Sequence, residues 1–277
     1  MEAHDLTVNH IRMRWLESGQ GDPLVLVHGI PTGPRLWRHV VPKIDGARCL
    51  AWEMVGYGES IPEGRGTDIS VDRQADYLLA WLDEMGIKRA VLAGHDLGGG
   101  VVQIAAVRRP EICAGLFLTN AIGYDSWPIL GVRAMRALGD VVQRLPNAVF
   151  KQVFGAFLRQ GHSDSSMARE SIDVHWDAYA RHDGAAAFIR QARSLDVRDT
   201  LAVAQQLPGL NVPARIAWGA ADRFQTIEYG ERFSHSLNAP LHRIEQGKHF
   251  TPEDHPQVIA AEINELIKAV HGPSEGP

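Results

Sequence analysis

The chain has 277 residues, 45% hydrophobic and 22% charged, enough for one large α/β domain or a domain with a sizeable insertion, and too balanced for long disorder or a fibrous repeat. A net charge of −5, with 28 Lys and Arg residues scattered rather than gathered in a stripe, argues against a nucleic-acid partner. The opening MEAHDLTVNH has no apolar core and no basic leader, and no apolar run approaches the roughly 18 residues of a membrane span, so no membrane association and a cytoplasmic location are expected.

In chain order, LTVNHIRMRWLESG alternates apolar and polar residues and predicts an antiparallel hairpin edge with one wet face. PLVLVHG (23–29) and RCLAWEM (48–54) then read as buried strands. VDRQADYLLAWLDEMG (71–86) predicts a helix with Ala75, Leu78, Leu79 and Leu82 on one face and a glycine stop. RAVLAGHD (89–96) and AGLFLTN (114–120) are further strands, and ARIAWGAAD (214–222) is a fifth, followed by the strand-like LHRIE (241–245). Such alternation means an α/β, mostly parallel, doubly wound sheet. Cys49 and Cys113 fall inside these apolar runs and are expected to be buried thiols.

Between residues 123 and 205 the alternation stops. RAMRALGDVVQRL, AVFKQVFGAFLRQ and GAAAFIRQARSL carry apolar residues at helical spacing, and GHSDSS (161–166) marks a loop between helices. The expected organisation is a core of 1–122 and 206–277, with a helical cap of 123–205 inserted before the last two strands and over the carboxyl ends of the sheet, where open α/β sheets bind ligands. The tail GPSEGP is expected to fray.

The most informative stretch is VLAGHDLGGG (91–100), an apolar strand running into Gly94-His95-Asp96-Leu97-Gly98 and then a helix. Glycines two before and two after a central residue permit a sharp strand-to-helix turn, which lifts that residue clear at the top of the sheet beside a helix N-terminus. A carboxylate there is favoured by the helix dipole and well presented for attack; taken alone, Asp96 would read equally as a helix N-cap.

Together with HGIPTGPRLW (28–37), GYGES (56–60), GAADRF (219–224) and GKHFTPEDHP (247–256), in that order, this stretch resembles the α/β-hydrolase superfamily over essentially the whole chain. The likeness is to the branch with an aspartate nucleophile, which holds epoxide hydrolases, haloalkane dehalogenases and fluoroacetate dehalogenases. In that chemistry a carboxylate attacks an alkyl carbon and water then cleaves the ester, which needs a general base. The resemblance gives that role to His249, in the polar loop after LHRIE, and the role of its orienting acid to Asp222; Asn120, at the other place a family acid can come from, cannot carry the charge. The N–H groups of Ile30 and Leu97 match the family's oxyanion hole, and Pro31 is expected to help hold the first loop.

The leaving-group helper separates the functions. Haloalkane dehalogenases usually place Trp after the nucleophile and many place Asn after the HG pair, and fluoroacetate dehalogenases place Arg after the nucleophile; this chain has Leu97 and Ile30. A neutral, apolar substrate is therefore expected. Epoxide hydrolases commonly carry two tyrosines in the insertion, which here contains Tyr124 and Tyr179. Tyr179, with His175 or Tyr124, is assigned the opening oxygen, against the alternative that these residues only pack the insertion onto the sheet. His28, Pro31, Trp37, His95, Trp176 and Phe250 are expected to line the pocket, and Trp37, Trp127 and Trp176 could offer an indole to a halide.

The expected function is cofactor-free, metal-free hydrolysis of a largely apolar epoxide to a vicinal diol, with water and a small organic substrate as the only partners and a monomer or homodimer as the assembly. A haloalkane or haloacid dehalogenase with the same triad is the first alternative. The second is a serine-hydrolase-like protein whose nucleophile has been replaced and which is catalytically silent.

Overall fold

The computed structural model describes residues 1–272, so the expectation of a frayed GPSEGP tail lies, from residue 273 onward, outside the described residues. Eight strands form one sheet in the order β1-β2-β4-β3-β5-β6-β7-β8. β1 (Glu2–Val8) and β2 (Ile11–Ser18) make the antiparallel hairpin, and β2 also runs antiparallel to β4 (Ala47–Glu53). From β4 onward every neighbouring pair is parallel: β3 (Asp22–Val27), β5 (Ala90–Asp96), β6 (Cys113–Ala121), β7 (Ala214–Gly219) and β8 (Leu241–Ile244). β5 and β6 are buried along their whole length, which explains why they read as continuous apolar runs, whereas β1 alternates between exposed and half-buried residues.

Helices cover both faces. α1 (Val71–Glu84) starts on Ser70, whose hydroxyl accepts the Arg73 N–H, and turns Ala75, Leu78, Trp81 and Leu82 to the sheet. α2 (Leu97–Arg108) is buried on nearly every side, and a Cβ at Gly99 would lie 2.2 Å from that of Ala121, so this glycine lets the helix lie directly on β6. Cys49 and Cys113 are buried free thiols, each pushed up to about 12 by burial.

Between β6 and β7 come six helices and no strand: α3 (Leu130–Ala137), α4 (Gly139–Val142), α5 (Asn147–Gly161), α6 (Ser165–Arg181), α7 (Gly184–Arg193) and α8 (Arg198–Ala204). The stretch RAMRALGDVVQRL, expected as one helix, breaks at Leu138, where Gly139 comes so close to α7 that a Cβ would meet Ile189 and Arg193. Phe154 on α5 packs against Trp176 and Tyr179 on α6, with ring centroids 5.4 and 5.2 Å apart. The insertion is tied to loops at the carboxyl ends of the strands: Arg181 to Glu59, Gln191 Nε2 to the Gly56 carbonyl at 2.8 Å, and the N–H groups of His249 and Phe250 to the Gly161 carbonyl at 2.9 and 3.2 Å. After β7, α9 (Ile227–Ser236), α10 (Thr251–Asp254) and α11 (Pro256–His271) complete the core. Among the described residues no helix is long and apolar enough to cross a membrane.

Candidate active site

Asp96 ends β5 with φ 50° and ψ −121°, a conformation in which few side-chain-bearing residues sit. Two glycines make that turn possible. A Cβ at Gly94 would fall 2.5 Å from the Gly98 carbonyl oxygen, and one at Gly98 would fall 2.2 Å from that of Val27, so strand, turn and helix can close only around hydrogen atoms. The resulting elbow aims the Asp96 carboxylate at the loop after β3, where Oδ1 accepts the Ile30 N–H at 2.9 Å; the Leu97 N–H, the first of α2, also favours its charged form. The Ile30 N–H thus holds the carboxylate, with Leu97 next to it at the start of α2. The Ile30–Pro31 bond is cis, and Thr32 closes the loop through two bonds to the Gly29 carbonyl, both 3.0 Å long.

His249 lies opposite. Its Nε2 is 3.6 Å from Asp96 Oδ2, and its Nδ1 is 2.8 Å from Asp222 Oδ2. Asp222 is fixed in turn: Oδ1 accepts the Phe224 N–H at 2.7 Å, and Oδ2 also accepts from Asn120 Nδ2 at 2.7 Å. Asn120 Oδ1 accepts the Gly219 N–H and the Thr251 hydroxyl, both at 3.0 Å. Asn120, unable to be the acid itself, therefore holds it. Its place at the end of β6, next to the strand that ends in Asp96, was the available sequence signal.

Burial pushes the Asp96 carboxyl above the usual carboxylate range, against the pull of His249 and the two N–H groups. Burial pulls the His249 imidazole down, but Asp222 and then Asp96 outweigh it and the net direction is upward.

Asp96 and His249 face a cavity of about 20 Å³, room for about one water. Ile30, Leu97 and Ile122 line it from the core, Ile129, Phe157 and Leu195 from the insertion, and Phe224 and Gln225 from the loop after β7. Several expected residues sit elsewhere. Tyr179 is buried with its hydroxyl donating to Gln191 Oε1 at 2.6 Å, and His175 is 3.2 Å from Glu253; both line a separate cavity of about 130 Å³ behind Thr32 and Gly33, beside Glu53, which burial pushes up to about 7. The rotation of α6 that seats Trp176 on Phe150 and Phe154 carries these side chains away from Asp96. The Tyr124 hydroxyl donates to Ser236 at 2.8 Å, and Arg232 covers its ring. The expected assignment of these three to the opening oxygen is thus not reflected in the wall of the nucleophile cavity.

The expected pocket residues act as supports. His28 Nε2 accepts the Met54 N–H at 3.1 Å, and burial lowers its pKa to about 3, so it is a neutral brace. His95 donates to the His249 carbonyl at 2.9 Å, and Phe250 packs edge-on against the His249 ring. Trp37 is wholly buried in the core, Trp176 belongs to the packing of the insertion, and Pro31 shapes its loop; none of the six lines the cavity. Trp127 does line it, but its indole N–H is spent on Thr200 Oγ1 at 2.6 Å.

The sequence signature of the alpha/beta hydrolase fold family matches residues 22–256. The chain is 30% identical over 269 residues to Haloalkane dehalogenase 2 of Mycobacterium tuberculosis, covering 92% of this chain and 91% of that one. In structure it is similar to an alpha/beta hydrolase fold protein from Burkholderia ambifaria, with a TM-score of 0.87 and 26% identity over 95% of this chain and 97% of the other. It also shares the fold of the epoxide hydrolase CorEH, with a TM-score of 0.77 and 20% identity over 96% and 98% of the two chains. With an elbow at the end of β5, a mostly parallel eight-stranded sheet and a signature spanning most of its length, the chain belongs to the α/β-hydrolase family.

Proposed function

We propose that this hydrolase cleaves small, neutral alkyl electrophiles through a covalent ester on Asp96. The observation that carries this is the carboxylate itself, bound by the Ile30 N–H and faced by a histidine that another carboxylate orients. Asp96 attacks carbon and the leaving group departs with the bonding electrons. His249 then takes a proton from water, the hydroxide adds to the ester carbonyl, and the Ile30 and Leu97 N–H groups hold the oxyanion that forms on the nucleophile's own carboxyl. Collapse returns the Asp96 carboxylate and releases an alcohol. The insertion, in this reading, is the cap that keeps bulk water off the ester.

Two electrophiles remain, each favoured by one observation. A carbon–halogen bond fits the cavity wall, because a departing halide needs N–H donors and no proton, and no tyrosine among the described residues lines the cavity. The 30% identical haloalkane dehalogenase points the same way. Epoxide opening is favoured by Leu97 and Ile30, which stand where the usual halide-binding Trp and Asn of dehalogenases would be. The deciding experiment is intact-mass spectrometry of a His249→Gln variant exposed to 1-bromobutane and 1,2-epoxybutane. A butyl adduct on Asp96 assigns the halide reaction, and an adduct of the whole epoxide assigns ring opening. No adduct from either would remove the carboxylate nucleophile from consideration and leave the silent, serine-replaced reading.

A further inference from the structure

Beyond Asp96 and His249, the nucleophile cavity has two polar side chains in its wall, Trp127 and Gln225. The indole of Trp127 is committed to Thr200, whose hydroxyl donates onward to the Tyr124 carbonyl. Gln225 differs. It is 2% exposed, and its Oε1 has no hydrogen-bond partner. Its main chain is nevertheless fixed, because the Gln225 carbonyl accepts Trp218 Nε1 at 2.9 Å and the preceding turn is closed by the Phe224 N–H on Asp222. An amide buried without its partners is unfavourable unless something entering the site completes it. The two ends of the amide can exchange places by rotation about the last side-chain bond, so the NH₂ group is free to meet a ligand in the cavity.

We propose that Gln225 is the leaving-group donor of this site and that its amide N–H binds the halide expelled from a small, neutral haloalkane. This rests on the reading of Asp96 as the alkylated nucleophile. In the step, an Asp96 oxygen forms the bond to carbon, the carbon–halogen bond breaks, and its electron pair leaves with the halide. No proton moves; the Gln225 N–H bond stays intact while it donates to the anion. That chemistry selects the halide. A primary amide does not surrender its proton near neutral pH, so it can stabilise an anion that is complete on departure but cannot protonate the alkoxide of an opened epoxide. The remaining wall, with Ile30, Leu97, Ile122, Ile129, Phe157 and Leu195, offers no cation for a charged substrate and fits an alkyl chain.

The test is the rate of ester formation from 1-bromobutane in the His249→Gln background, followed by intact mass, with Gln225→Leu, Gln225→Asn and Gln225→Glu added in turn. Gln225→Leu should slow alkylation about 10²-fold, as loss of one donor to a developing anion does. Gln225→Glu, equal in size but carrying a charge that repels the halide, should be slower still, and Gln225→Asn should lie between Leu and the parent. The Glu and Asn variants keep a polar side chain in place, so a drop peculiar to Leu, with both others at the parent rate, would mark a packing effect and overturn the proposal. So would equal alkylation rates throughout the series. If Gln225→Leu with His249 intact alkylates at the full rate and accumulates ester, the amide serves the hydrolytic water instead. Absence of any adduct in the His249→Gln parent would instead sink the Asp96 reading, a failure visible before Gln225 is touched.

Discussion

Two buried carboxylates, Asp96 beside the His249 ring and Glu253 on the helix that follows it, differ in their surroundings in a way that separates the proposed nucleophile from a structural group. Asp96, at the elbow after β5, accepts the Ile30 N–H and faces a histidine 3.6 Å away, and burial still leaves its carboxyl above the usual range. Glu253, on α10, is fully buried too, but it is surrounded by Arg38, the Ser171 hydroxyl at 2.7 Å, His175 at 3.2 Å and His162 at 3.3 Å. Although burial alone would raise its carboxyl, those partners hold it well below the usual range. A carboxylate whose charge is only partly compensated remains a nucleophile. One whose oxygens are saturated by cations and a hydroxyl is a clamp, and Glu253 clamps the loop that carries His249 to helices α5 and α6 of the insertion.

The comparison breaks most sharply at Asp96. Asp96→Asn should reduce hydrolysis of the responsive substrate by about 10⁴-fold or more, since the nucleophile and the rest of the triad act as a unit. Its thermal midpoint should stay level or rise, because the exchange removes a buried charge that its neighbours only partly stabilise. A variant with full activity would end the covalent reading. Asp222→Asn should cost about 10⁴-fold in turnover while ester formation in the first half-reaction persists, because the histidine then loses the acceptor that sets its tautomer. Ester accumulation by intact mass checks it.

At Glu253 the order of effects reverses. Glu253→Gln leaves Arg38 and His162 without their shared anion and should destabilise the fold by about 3–5 kcal/mol, read by denaturant unfolding, with a smaller loss of turnover in the molecules that remain folded. The cluster also predicts a pH dependence. Burial pulls His162 down, but Asp254 and Glu253 outweigh it and raise its pKa from the ordinary 6.5 to about 9. Its contribution to stability is therefore complete below pH 6.5 and lost as pH rises through about 9. Glu253, shifted the other way, contributes fully above its ordinary value of 4.5 and loses its contribution as pH falls through its lowered folded value. Unfolding free energy should thus decline between pH 6.5 and 9, by ~3 kcal/mol at most, and His162→Gln should flatten that slope. A wild-type profile flat over this interval would show that His162 carries no proton.

Those two regions were not equally legible in the amino-acid sequence. The elbow is written in backbone terms: a strand, two glycines at fixed spacing and a helix leave one geometry, so the position of Asp96 followed from local rules, while Ile30, Leu97, Asp222 and His249 came from the resemblance of the surrounding motifs to the family. The insertion is written in side-chain terms. Helical spacing marked α5 and α7, yet which way α6 rotates depends on Phe150, Phe154 and Trp176 packing together, and a single sequence does not expose that. Gln225 escaped notice, and Asn120 was read only as a position lacking an acid, because an amide looks the same in sequence whether it braces an acid, faces a cavity or meets solvent. Arg38 and Glu253 lie 215 positions apart, so no local pattern joins them.

The smallest predicted effect sharpens the same distinction within the insertion. Tyr179 donates to Gln191, and Gln191 in turn donates to the Gly56 carbonyl at 2.8 Å, a chain that ties α6 through α7 to the loop after β4. Tyr179→Phe removes one hydroxyl from it and leaves Gln191 Oε1 without its donor. Such a loss should cost about 1–2 kcal/mol of stability, near the worth of one buried hydrogen bond. If Tyr179 were the residue that meets the opening oxygen, the same substitution would lower turnover about 10²-fold and the effect would be specific to epoxides. The geometry predicts the first result: a small fall in unfolding free energy and turnover within about fivefold of the parent for either electrophile, since Tyr179 does not line the Asp96 cavity and a barrier shift below about 1 kcal/mol changes a rate by no more than that.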